Sequence, residues 1–190
     1  MNQIIKNTII LFVITLVAGI CLGTVHDITL DPIAQAQEAA ATKTYQEVYP
    51  DAASFDEPQE LADAVTAAAD SISEWGFGKV TINDAKEALD ASGNQIGYLI
   101  TSTSAESYGG NVQIAVGITN EGELTGIGFL SISDTPGLGM RAKEPDFKDQ
   151  FIGKKAENLE VTKTGASADN QIEAISGATI TSKAVTNATD

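Results

Sequence analysis

The runs QIGYLITSTSAE (residues 95–106), NVQIAVGITNEG (residues 111–122) and ELTGIGFLSIS (residues 123–133) decide the fold of this chain. Each run is rich in residues that favour strands, and Tyr-Gly-Gly and Glu-Gly turn signals separate the runs. Strands joined by such short connections pair with their neighbours in sequence. The three runs therefore predict an antiparallel β-meander, and KVTI (residues 79–82) predicts a strand before it.

Helical patterns flank the predicted meander. A helix is predicted over residues 57–72, and the side chains on its apolar stripe are Leu61, Ala64, Val65, Ala68 and Ile72. The segment EPDFKDQFIGK (residues 144–154) predicts a short amphipathic helix with Phe147, Phe151 and Ile152 facing inward. ENLEV (residues 157–161) predicts one more strand. The fold class is therefore α+β, with one domain that has a meander and flanking helices.

The N-terminal part of the chain predicts a membrane anchor. Residues 8–25, TIILFVITLVAGICLGTV, are 18 residues without charge or proline, which as a helix suffice to cross a hydrocarbon core roughly 30 Å thick. Lys6 precedes this run and acidic residues follow it, a distribution that favours a cytoplasmic N-terminus and an extracytoplasmic domain. The sequence thus predicts an anchor over residues 1–28, a stalk over 29–56 and a single domain over 57–190.

Two details of this region carry further expectations. The predicted stalk is broken by Pro32 and ended by Pro50. A cleaved signal peptide is the alternative to an anchor, because AQA (residues 34–36) has the letters of a cleavage site. That site lies beyond two aspartates and well past the apolar run, however, so the anchor is the preferred interpretation.

Composition excludes several classes of function. Beyond Lys6 the chain carries ten Lys and Arg against 26 Asp and Glu, a formal balance of −16, which repels nucleic acid and anionic lipid headgroups. Cys21 is the single cysteine and His26 the single histidine, so neither an internal disulfide nor a histidine base within the domain is available. No catalytic constellation or metal site is predicted, and a bound cofactor would have to supply any chemistry.

Two glycine-rich stretches are candidates to hold such a cofactor. In DTPGLGMR (residues 134–141), Gly137 and Gly139 would let the backbone approach a flat or phosphorylated ligand, and Leu138 offers an apolar face. A plain loop between a strand and a helix is the alternative for this stretch.

The second stretch is SGATITSKAV (residues 176–185), which places four hydroxyls around a glycine. A helix from about Ser182 with Thr181 as its N-cap is predicted, because apolar residues recur at helical spacing at Ile180, Ala184, Val185 and Ala188. The start of a helix favours a phosphate, and Thr179 lies there. Simple capping is the alternative, and spacing alone does not choose among Thr179, Thr181 and Ser182.

The end of the chain, EAISGATITSKAVTNA (residues 173–188), resembles the flavinylation motif of FMN-binding domains: an acidic residue, then Ser/Thr-Gly-Ala-Thr, then Thr-Ser. Other segments match in the same order, namely ITLDPI, GYLI, YGGNVQIAVGI, DTPGLG and DQFIGK. Together they resemble the family of the G subunit of the Rnf complex, a membrane-bound ferredoxin–NAD oxidoreductase that couples electron flow to ion transport. The C subunit of the sodium-pumping NADH–quinone oxidoreductase is a related, more distant match.

This resemblance implies that FMN is attached through a phosphoester to Thr179 by a separate flavin transferase that uses FAD. The expected flavin-site residues around it are Ser176, Gly177, Ala178, Ile180, Thr181, Ser182, Thr135, Gly137, Leu138 and Gly139. Two acidic positions depart from the family pattern by one methylene: Glu173 replaces an aspartate, and Asp134 replaces the glutamate of ETPGLG.

The resemblance also implies an electron relay in a complex of several subunits. The implied partners are the A, D and E membrane subunits and the peripheral B and C subunits, with an iron–sulfur centre on one side of the relay and a second covalent flavin, on the D subunit, on the other. The alternatives are a stand-alone extracytoplasmic flavoprotein with an external acceptor, and an anchored binding domain whose threonine-rich end is only a helix cap.

Overall fold

The computed structural model describes residues 2–72 and 74–190, in two compact units. One unit ends at Ala41 and the other begins at Thr42. The domain boundaries predicted at residues 28 and 56 concern the membrane and the cofactor, and they stay predictions.

The long helix α1 spans Asn2–Val48, and the first unit is the part of this helix that ends at Ala41. By length and composition α1 can cross a membrane, and its large apolar side chains between Ile4 and Ile33 are exposed. The predicted break at Pro32 is wrong, because α1 continues through this residue. A proline removes one N–H donor and crowds one carbonyl, and the turns on either side keep their own hydrogen bonds. The helix ends two residues before Pro50, as predicted.

The second unit is built on an antiparallel sheet of five strands in sequence order. The strands are β1 (Ser54–Asp56), β2 (Val80–Leu89), β3 (Gln95–Ser107), β4 (Gly110–Thr119) and β5 (Leu124–Ile132). The predicted meander is confirmed. Strand β2 extends past KVTI through NDAKEAL, which lacks β-branched residues, because pairing with β3 outweighs weak local propensity.

The main core lies on the face of the sheet that carries α4 (Thr179–Thr189). Here β4 and β5 pack against α4 and against the segment formed by a 3-10 helix (Gly139–Lys143), α3 (Pro145–Lys148) and a second 3-10 helix (Asp149–Phe151). The rings of Phe147 and Phe151 meet edge to face at 5.6 Å and are buried, as predicted. Ile152 was predicted inward but is exposed, because the chain becomes extended there and leaves the helical period.

The opposite face of the sheet receives the end of α1. Val48 packs with Leu99 and Ala115, and its carbonyl accepts a hydrogen bond of 2.7 Å from the Thr125 hydroxyl. Gly128 makes room for this contact, since a Cβ there would lie 2.6 Å from Val48 Cγ2. The end of α1 is thereby an integral part of the second unit.

The remaining elements lie around this core. Helix α2, Gln59–Ile72, begins two residues later than predicted, directly after Pro58, and Ala64 of its predicted stripe is exposed. A strand was expected over residues 157–161; the observed strand β6 (Glu160–Thr162) begins three residues later. It pairs in parallel with β7 (Gln171–Glu173), which was not predicted.

Candidate functional site

Helix α4 begins earlier than the sequence predicts, and this changes the roles of its hydroxyls. The helix is preceded by a turn, which is closed by a hydrogen bond of 2.9 Å from the Ala178 N–H to the Ile175 carbonyl. Gly177 in this turn has φ 78°. Such a left-handed residue favours glycine, because a Cβ would meet the following backbone. The helix starts at Thr179 with Ala178 as its N-cap, which makes no side-chain capping bond. Thr181 lies inside the first turn, so its predicted role as N-cap is wrong.

The hydroxyls of Thr181 and Ser182 are fully buried and hydrogen-bonded. Thr181 Oγ1 donates to Asp134 Oδ2 at 2.6 Å. Ser182 Oγ donates to the Ala178 carbonyl and accepts from the Ile175 N–H, both at 3.0 Å. These two hydroxyls therefore serve internal packing.

Thr179 is placed differently from these two hydroxyls. It is half-buried at the helix start, beside the exposed turn residues Ser176 and Gly177. The first N–H groups of a helix have no intrahelical acceptor and carry a partial positive charge. Ile180 is 55% exposed and presents an apolar surface next to Thr179. Thr179 thus combines a half-buried threonine with the electrostatics of a helix N-terminus.

Asp134 joins α4 to the end of the meander. Its Oδ2 accepts from Thr181 and, at 2.9 Å, from the Ser107 hydroxyl at the end of β3, while its Oδ1 accepts from the Thr135 N–H at 2.7 Å. Burial raises the pKa of this carboxyl, but the hydrogen bonds that it accepts, the one from Thr181 foremost, outweigh burial and hold the pKa below its usual value. The group is therefore ionised at neutral pH.

Sequence reasoning noted the charge of Asp134 but missed this role. A signal was available, because an acidic residue at a strand end was followed by no nearby basic residue until Arg141. Such a carboxylate finds hydroxyl and backbone donors when it is partly buried.

The two glycine-rich stretches lie against each other. Leu138, which is 41% exposed, reaches over Gly177, since a Cβ on Gly177 would lie 3.1 Å from Leu138 Cδ2. A hydrogen bond of 3.1 Å from the Leu138 N–H to the Thr135 carbonyl closes the loop that carries Leu138, and Gly137 in this loop has φ 76°. The sequence predicted these stretches separately, and the fold brings them together.

Gly139 differs from Gly137, although the sequence treats them alike. Gly139 is buried, and a Cβ there would overlap the Asp134 carboxylate. The open space at Gly139 is filled by the chain itself, whereas at Gly137 nothing lies within 4 Å of such a Cβ.

The residues present suit a phosphate-linked flat cofactor. Thr179 is half-buried at a helix start, the exposed Ile180 follows it directly in the chain, and the exposed Leu138 lies over Gly177 of the preceding turn. A phosphoester at the Thr179 hydroxyl would face the helix N–H groups, and an apolar ring system would lie against the two aliphatic side chains.

A separate apolar cavity of about 120 Å³ lies at the other end of α4. It is lined by Trp75 and Phe77, by strand residues such as Ile100, and by residues 187–190. The residues predicted to bind the flavin are not among those that line it.

Comparison with known proteins identifies the families that this chain resembles. Residues 107–190 match the FMN-binding domain family, and residues 1–48 match the RnfG N-terminal region. The chain is 36% identical to the G subunit of the Na⁺-translocating ferredoxin:NAD⁺ oxidoreductase complex of Acetobacterium woodii, over 97% of this chain and 87% of that protein. It is 30% identical to the G subunit of the proton-translocating complex of Clostridium ljungdahlii, with the same coverage.

A solved structure is also similar: the C subunit of the Na⁺-translocating NADH-quinone reductase from Parabacteroides distasonis, at 26% identity and a TM-score of 0.45, over 56% of this chain and 55% of that one. The similarity to the G-subunit proteins extends over nearly the whole chain and includes both the N-terminal region and the FMN-binding domain. The chain belongs to the RnfG family, the G subunits of ion-translocating ferredoxin:NAD⁺ oxidoreductase (Rnf) complexes.

Proposed function

We propose that this chain is the electron-transfer subunit of a membrane-bound, ion-translocating ferredoxin–NAD oxidoreductase, and that it carries FMN on Thr179. The observation that carries the proposal is the near full-length similarity to G-subunit proteins named for this complex. The FMN-binding domain match includes Thr179 and the loop at residues 134–139.

The burial of the neighbouring hydroxyls supports Thr179 as the attachment residue. Thr181 and Ser182 are fully buried and hydrogen-bonded, so a transferase could reach them only by unfolding the start of α4. In the proposed reaction, Thr179 Oγ1 attacks the FMN phosphorus of FAD and forms an O–P bond. The P–O bond of the diphosphate breaks, AMP leaves with its electron pair, and the hydroxyl proton passes to a base.

The local physics supports a covalent phosphoester. The linked phosphate keeps one negative charge, which the helix N-terminus stabilises without an arginine. When bound, the flavin supplies one- or two-electron transfer, and the chain contributes binding and orientation. The exposed side chains of Leu138 and Ile180 would offer apolar surface to the ring system. No side chain of this protein is proposed to act as a catalytic acid, base or nucleophile in electron transfer.

In the complex, we place this protein between an iron–sulfur centre of the membrane subunits and the covalent flavin of the D subunit. Its contacts are with the A, D and E membrane subunits, and through them with the peripheral B and C subunits. The net flow runs from ferredoxin to NAD⁺ and is reversible.

The test of this assignment is expression of the full chain in a host with the flavin transferase and the remaining subunits. The chain should retain yellow fluorescence on a denaturing gel and copurify with the other subunits. A yellow chain that purifies alone would support the stand-alone flavoprotein instead. If the chain remains colourless after exposure to an active transferase and FAD, the relay is refuted.

The sidedness of the domain is part of the proposal. Lys6 before the apolar run and the acidic residues after it support a cytoplasmic N-terminus and an FMN domain on the extracytoplasmic side of the plasma membrane. Protease added to right-side-out vesicles should therefore digest the domain beyond residue 41. Digestion only after the membrane is opened would reverse this topology, and a mature N-terminus at Gln37 would show a cleaved leader.

A further inference from the structure

We propose that Asp134 is the positioning residue of the flavin-attachment site: its carboxylate holds the first turn of α4 so that the Thr179 hydroxyl faces the incoming phosphorus. This inference rests on the proposed attachment at Thr179. It assigns to Asp134 a role that acts through Thr181 and involves no contact with the flavin.

The geometry joins three segments at one carboxylate. Oδ2 accepts from Thr181 in α4 and from Ser107 at the end of β3, which are 74 positions apart in the sequence. Oδ1 accepts from the Thr135 N–H and so fixes the start of the loop that carries Leu138. The end of β3, the start of the loop and the first turn of α4 are therefore joined at one ionised group.

This carboxylate restrains the start of α4 in a different way from a helix cap, because it accepts a hydrogen bond from a side-chain hydroxyl and not from a backbone N–H. The N-cap residue Ala178 makes no side-chain bond, so the usual restraint on a helix start is missing from α4. Thr181 lies two positions after Thr179, and its bond of 2.6 Å to an ionised acceptor is of the short, charge-assisted kind. Ser182 fixes the turn from the other side through the Ile175 N–H. With Thr181 released, the first turn loses one of these two side-chain restraints, and the direction of the Thr179 hydroxyl is less closely fixed.

Positioning of this kind matters for group transfer. A misplacement of about 1 Å at a reacting atom can lower a rate about 100-fold, because in-line attack requires a defined angle and distance. Gly139 belongs to the same arrangement, since its missing Cβ leaves the space that the carboxylate occupies.

The test compares Thr181→Val with Thr186→Val in the full chain, purified in detergent without flavin. Valine keeps the shape of threonine and removes the hydroxyl donor. Thr186 is the matched control, because its hydroxyl is also fully buried in α4 but donates to the Ser182 carbonyl at 2.9 Å, away from Asp134. Each protein is incubated with flavin transferase and FAD, and intact-mass spectrometry follows the attached fraction over time.

We expect Thr181→Val to lower the attachment rate about tenfold or more, with Thr186→Val close to the unchanged protein. Thr181→Ser keeps the donor and should restore most of the rate. Thermal unfolding followed by circular dichroism, with the assay run well below each transition, separates slow attachment from a failure to fold. Ser107→Ala, at the half-buried end of β3, gives a second variant that removes a donor to the same oxygen and should also slow attachment.

The inference would be overturned if folded Thr181→Val and Thr186→Val both accepted flavin at the rate of the unsubstituted chain. It would also be overturned if both substitutions lowered the attachment rate equally. Should Thr181→Val prove unfolded, an unchanged rate in Ser107→Ala would overturn it. Failure of the unsubstituted chain to accept flavin from an active transferase would instead refute the proposed function, so the two failures are distinguishable.

Discussion

Thr179→Ala should abolish covalent flavin completely. Without an oxygen at this position no phosphoester can form there, and the hydroxyls of Thr181 and Ser182 are buried out of reach. The substitution removes a half-buried hydroxyl outside the core, so the free energy of unfolding should change by less than about 0.5 kcal/mol. In-gel flavin fluorescence and peptide mass spectrometry measure attachment, and circular dichroism confirms the fold. Electron transfer through the complex should be lost together with the flavin.

Two control variants sharpen this result. Thr179→Ser keeps the oxygen and should retain attached flavin. Thr181→Ala should leave the attachment site at Thr179 but destabilise the chain by about 1–3 kcal/mol, because it deprives a partly buried carboxylate of a hydroxyl donor. Flavin found by peptide mapping on Ser176, the exposed hydroxyl of the adjacent turn, would contradict the assignment while preserving the flavoprotein.

The meander could be predicted because its determinants are local. Strands β3, β4 and β5 alternate with glycine turns of a few residues, and neighbours in sequence become neighbours in the sheet. The part of strand β2 beyond Ile82 and the β6–β7 pair could not be predicted from local sequence. The residues of these strands have weak strand propensity or few partners nearby in sequence, and tertiary pairing decides their conformation.

The site was predicted in parts, and its connections were not. The sequence and its family resemblance pointed to Thr179 and to the DTPGLG stretch, and those assignments stay predictions. The link between Asp134 and Thr181 spans 47 positions, and helical spacing carries no information about it. Helical spacing of the apolar residues predicted a helix from about Ser182, and Thr181 was therefore expected to be its N-cap. The turn at Gly177 lets the helix begin earlier.

Gly139→Val should be the most damaging single change in the DTPGLG loop. A Cβ at this position would overlap the Asp134 carboxylate, so either the carboxylate moves off Thr181 or the loop moves away from α4. We expect the free energy of unfolding to fall by about 2–4 kcal/mol, from overpacking combined with the lost hydrogen bonds. Chemical denaturation of the purified chain measures this. Because of this overlap, we expect the substitution to weaken the fold itself and not only the packing of a flavin.

Gly137→Ala is the matched control, because the two glycines are needed for different reasons. At Gly137 nothing lies within 4 Å of an added Cβ, and the only penalty is the left-handed backbone at φ 76°. That conformation costs an alanine roughly 1–2 kcal/mol, and the Asp134 bonds should survive. Flavin attachment should therefore slow markedly in Gly139→Val and little in Gly137→Ala. Similar losses of stability and similar attachment rates in the two variants would mean that the contact between Gly139 and Asp134 has no special role in holding the start of α4.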